Sequence, residues 1–131
     1  YEKPEMTPQE RKTVWRALES RFRPYVSAEG IPYLEEGTRW QYQMHIYETP
    51  FYYIDYCLAQ TVALQFLLAA QEDYAGAYRR YVRLLSQGGE QTFDALVQEA
   101  GLRSPFEEGA LEAVAQKTEA LLHRLAAGIG I

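Results

Sequence analysis

Residues 49–73 read TPFYYIDYCLAQTVALQFLLAAQED, and how this run is taken decides the fold. It shows none of the polar–apolar alternation that marks a half-buried strand. Thr49 offers an N-cap hydroxyl, and Pro50 sits at the first helical position, where a missing N–H costs nothing. The run therefore predicts a helix over residues 50–73. Its longest apolar stretch, residues 51–70, is broken by Asp55, Gln60 and Gln65. It reads as a central buried helix covered on several sides, not as a membrane span.

Outward from this helix the signals remain helical. Thr7, Pro8, Gln9 and Glu10 form a capping box with proline at the first helical position. Val14, Leu18 and Phe22 follow at helical spacing until Pro24 ends the run. Residues 24–49 carry no clear period and are punctuated by Pro24, Gly30, Pro32 and Gly37. They read as a loop of the kind that often carries binding residues, with a short helix or an extended piece around residues 38–46. Asp73 and Tyr74 mark a bend into a helix over about residues 75–87, which stops at Gly88 and Gly89. A short helix from Thr92 to Ala100 ends at Gly101, and Ser104 through Glu107 gives a further capping signal. Leu111, Val114, Thr118, Leu121, Leu122 and Leu125 form the seam of a last amphipathic helix. The fold class is all-α, with residues 1–131 as a single helical domain or segment.

Composition narrows the function. Thirteen basic against eighteen acidic residues leave a net charge of −5 without a basic stripe, so a phosphate backbone is repelled and nucleic acid is not an expected partner. The single cysteine, Cys57, fits a reducing compartment. The charged opening YEKPEMTPQERK is no secretory h-region. Cytoplasmic residence and no membrane partner are expected. Eleven tyrosines in 131 residues are a surplus that suits buried hydrogen-bonding sites or interfaces.

Four of those tyrosines fall in HIYETPFYYIDYCLAQ, residues 45–60, with one of the two histidines and the cysteine. On a helix, Tyr53 and Tyr56 are i,i+3 neighbours, and Cys57, Gln60 and Leu64 share their face. The preceding loop can fold His45 over the same helix start. Two phenols, an imidazole and a helix N-terminus suit a developing negative oxygen. The plainer reading stays open beside this one. Tyrosines in helices usually pack with their hydroxyls satisfied, a lone histidine is more often a cap or a packed ring, and Cys57 reads as a small buried hydrophobe. His123 reads as a surface residue. Spacing alone leaves the function undecided.

The combination RWQYQMHIYETPFYYIDYCLAQTVALQF, residues 39–66, resembles the late part of oligoendopeptidase F-type enzymes, zinc metallopeptidases of the thimet-oligopeptidase family. YEKPEMTPQERK at the start and GLRSPFEEG near the end fall in the expected order. PFYYIDY is also similar to the Pro-Tyr-x-x-Tyr segment of angiotensin-converting-enzyme-like peptidases. The resemblance implies a mostly helical, two-lobed zincin-type oligopeptidase fold and hydrolysis of short peptides. It implies Tyr56 as the oxyanion tyrosine and Tyr53 as a substrate-backbone or assisting group. His45 would be a hydrogen-bond partner of the substrate chain, the loop from Gly37 to Thr49 would be mobile, and Tyr52 would be a lesser substrate-binding residue.

The chain departs from the family in one respect. These enzymes hold zinc through His-Glu-x-x-His plus a later Glu, and neither His45 nor His123 belongs to such a motif. The resemblance thus implies the C-terminal portion of a longer peptidase. Zinc would be a cofactor of the parent without ligands in this chain, and the remainder of the parent would be a partner. Alone, the chain is expected to be inactive. Two alternatives are a non-catalytic helical peptide-binding or protein-interaction module, and a nicked fragment completing the site in trans.

Overall fold

The threonine-led start of the first helix works as its sequence announces. In the computed structural model, which describes residues 3–129, α1 spans Pro8–Phe22. The Thr7 hydroxyl accepts from the Glu10 N–H at 3.3 Å, and the Glu10 carboxylate accepts from the Thr7 N–H at 2.8 Å. Both orphan donors of the helix start are thereby met. At the far end the Arg23 N–H reaches the Glu19 carbonyl, and Pro24 follows. The remaining elements are α2 (Pro32–Glu35), a 3-10 turn (Arg39–Tyr42), α3 (Met44–Tyr47), α4 (Ile54–Glu72), α5 (Tyr74–Ser86), α6 (Phe93–Glu99) and α7 (Ala110–Ile129). Among the described residues there is no strand. The chain divides into two compact units, one up to Tyr53 and one from Ile54 onward.

In the first unit α1 packs against the 3-10 turn. Gly37 makes this approach possible. It is buried, its φ is +78°, and a Cβ there would lie 2.3 Å from the Lys12 carbonyl oxygen. Lys12 pairs with Glu36 at 2.6 Å, beside that glycine. The segment without clear periodicity, where a short helix or an extended piece was expected around residues 38–46, holds three short helical pieces, two of them in that range. Each is four residues long, too short to imprint a helical period on the sequence.

In the second unit α4 packs on both α5 and α7. The expected helix over residues 50–73 is corrected at its start, because residues 50–53 form turns and α4 begins at Ile54. Phe51 has φ +70°, a left-handed conformation that no α-helix accommodates. Within this chain, of the 19 residues of α4 only Thr61 and Val62 are buried. Cys57 is exposed, not a buried hydrophobe. At the other end the Asp73 carboxylate accepts from the Gly76 N–H at 2.9 Å and caps α5.

Gln65 binds the backbone of Arg103 through both ends of its amide. It accepts from the Arg103 N–H and donates to the Arg103 carbonyl, each at 2.9 Å. Arg80 donates to the carbonyls of Ala100 and Gly101, at 3.2 Å each, where α6 ends. Ser104 does not cap a helix as expected. It accepts from Phe106 N–H and donates its own N–H to Glu107, closing a turn ahead of α7. Ala110, Val114 and Leu121 form the buried face of α7, whereas Leu111, Leu122 and Leu125 of the expected seam are exposed. No described helix is long and apolar enough to cross a membrane.

Candidate functional site

His45 lies on α3, and the chain then turns sharply. The Tyr52 N–H reaches the Thr49 carbonyl at 3.2 Å, and the left-handed Phe51 redirects the backbone within that turn. Non-glycine residues hold this conformation at a cost of about 1–2 kcal/mol, and such residues concentrate where a site needs them. The turn brings Tyr52 and Tyr53 back onto the imidazole. Tyr52 stacks on His45 with ring centroids 6.0 Å apart, and Tyr53 meets it edge-on at 4.9 Å. In the same unit Trp40 lies 6.1 Å from Tyr47 and carries the Arg11 guanidinium over its face.

A cavity of about 520 Å³ opens beside this cluster. Trp15, Ile46 and Phe51 supply its apolar wall. Its polar groups are His45, Tyr53, Gln43, Arg23 and Arg39, so it combines an apolar body with a few convergent donors, as ligand sites do. Glu19 stands 3.6 Å from Arg23 and 3.9 Å from Arg39. One carboxylate thus faces two guanidiniums, and the electrostatics of this wall are positive.

Of the residues singled out in sequence, His45, Tyr52 and Tyr53 come together in the first unit. His45 and Tyr53 share the cavity, while Tyr52 backs the imidazole from outside its lining. Tyr56 lies in the first turn of α4, in the second unit, with about half of its surface exposed. Because Tyr53 precedes the helix, the two phenols are not the helical i,i+3 pair that the spacing implied. His123 is exposed and lies 3.9 Å from Glu119. Sequence reading passed over Arg23, Arg39, Trp15, Gln43 and Phe51. Arg23 carried one usable signal, a cation at a helix end directly before Pro24.

Among the described residues, no group of three or more His, Cys, Asp or Glu side chains could hold a metal ion. No protein-family model and no curated protein matches the chain. Solved structures do. An oligoendopeptidase F shares 50% identity over 94% of this chain, with a TM-score of 0.81. A PZ peptidase A, determined with an inhibitor, shares 47% over 95% with a TM-score of 0.82. An oligoendopeptidase F from Bacillus anthracis shares 41% over 95% with a TM-score of 0.67. The matches cover 22%, 22% and 19% of those chains, so this chain spans about a fifth of their length. With identity of this level along nearly all of its residues and the same helical fold, the chain is similar to about a fifth of the length of these oligoendopeptidase F-type peptidases.

Proposed function

We propose that the chain is the C-terminal, substrate-side part of a zinc-dependent oligoendopeptidase that hydrolyses short peptides in the cytoplasm. The observation that carries this reading is the cavity lined jointly by His45 and Tyr53, in a chain that shares 50% identity with an oligoendopeptidase F. A peptide carbonyl under attack gathers negative charge on its oxygen. A phenol O–H aimed at that oxygen is worth on the order of 3 kcal/mol, a hundredfold or more in rate. Tyr56 takes this role by its place in the matched segment. Tyr53 binds the substrate backbone or assists, His45 hydrogen-bonds the peptide beside the scissile bond, and Tyr52 holds the imidazole by stacking.

The zinc that the family implies does not fit the residues present here, since none of the described ones form a metal-holding group. Its ligands belong to sequence outside this chain. The chain's own residues bind and orient the peptide and donate to the oxyanion, so the isolated chain is without peptidase activity. In the complete polypeptide, Tyr56→Phe is expected to lower kcat a hundredfold or more with little change in KM. Undiminished turnover in that variant, measured on a short fluorogenic peptide, rules the role out.

A further inference from the structure

The Arg23–Arg39 pair is not used by the chemistry above. The two guanidiniums line the cavity with His45 and Tyr53, and none of its described lining residues carries a carboxylate. Both arginines also line a neighbouring cavity of about 370 Å³, and the acidic groups Glu19 and Glu35 lie in that second wall. Glu19 is the only carboxylate paired with either arginine among the described residues, at 3.6 and 3.9 Å. Those separations exceed the roughly 2.7–2.9 Å of a charge-assisted hydrogen bond. One anion held loosely between two cations leaves a full positive charge, and the side chains of Arg23 and Arg39 are 36% and 33% exposed. Guanidinium groups have the planar fork that matches a carboxylate.

We infer that this pair receives the terminal carboxylate of a bound peptide, with the last side chain resting on Trp15, Ile46 and Phe51. The inference rests on the reading of the cavity as a peptide site. A terminal carboxylate is the one anionic group that every short peptide carries regardless of sequence, so a fixed cationic pair recognises such peptides as a class. It also limits how many residues lie between the chain end and the part of the peptide held at His45 and Tyr53, because all four side chains line one cavity.

The test is calorimetric titration of the 131-residue chain with trileucine as the free acid and as its C-terminal amide. The acid is expected to bind about tenfold more tightly than the amide, the range of a hydrogen-bonded charge. The preference should shrink in high salt. Arg39→Gln and Arg23→Gln should each reduce it, and Glu19→Gln should enlarge it. Circular dichroism checks that each variant is folded, and the acid–amide comparison on the unsubstituted chain is independent of any folding defect. Equal affinity for acid and amide overturns the inference, as does binding of neither. A trileucine amide carrying an added acidic residue that binds as well as the acid also overturns it, by making a side chain the recognised group. The peptidase reading is judged separately, by whether the complete, unsubstituted polypeptide hydrolyses the fluorogenic peptide.

Discussion

Gly37 stands where no side chain fits. Its positive φ and the Lys12 carbonyl oxygen 2.3 Å from a built Cβ act together, so even a methyl group forces the loop off α1. Gly37→Ala is expected to destabilise the first unit by about 2 kcal/mol or more, the sum of a left-handed alanine and backbone overlap. Thermal unfolding of the variant checks this, and an unchanged midpoint refutes it. In sequence Gly37 reads only as punctuation, because the carbonyl it must clear lies 25 positions earlier in the chain. Phe51 was equally opaque. Following Thr49-Pro50 it reads as the first turn of a helix, yet its φ of +70° makes it the pivot that turns Tyr52 and Tyr53 onto His45. His45, Tyr52 and Tyr53 stood out as aromatic side chains near a capping signal, although spacing alone did not decide their use; the arginines beside them did not stand out.

At the scale of elements, what the sequence conveyed depended on how local the cause was. The capping box of α1 is a contact over three residues and stood in plain view, whereas the equally local caps Asp73 of α5 and Thr92 of α6 were read only as a bend and as a helix start. Ser104 carried the same signature and closes a turn instead, because a capping motif does not dictate that a helix follows. Gln65 was read as a break in an apolar surface. It is a cross-link between α4 and the loop before α7, reached over 38 residues. Gln65→Glu keeps the acceptor and loses the donor to the Arg103 carbonyl. It should destabilise the second unit by about 1 kcal/mol, and Gln65→Ala by about twice that, as two hydrogen bonds are then removed. Urea titration distinguishes the two, and equal loss in both variants contradicts the paired contact.

For the molecule as a whole, acid sensitivity follows from three exposed carboxylates. Glu10 is held below its ordinary value of 4.5 by the Lys3 hydrogen bond, then by Thr7. Glu36 is lowered by Lys12, and Glu99 by the amides of Gln91 and Gln87. A carboxylate with a depressed pKa in the folded state adds stability that is present above its unfolded pKa and lost as pH falls through the folded one. Helical signal followed by circular dichroism should therefore decline as pH drops below 4.5, and Glu36→Gln should make that decline shallower. The second unit's buried hydrophobic residues are Val62, Ala77, Val97, Ala100, Ala110, Val114 and Leu121, while Tyr74, Leu122 and Leu125 remain exposed. Sequence pattern marked such residues as apolar and could not say which would be covered, because covering depends on neighbours outside a helix's own period. A core built of alanine and valine with a single leucine hides little surface that unfolding could newly wet. The denaturant slope and heat-capacity increment of this chain should fall below those of an ordinary domain of its size, about 1.2–1.5 kcal/mol/K per hundred residues, and its melting should be broad rather than abrupt.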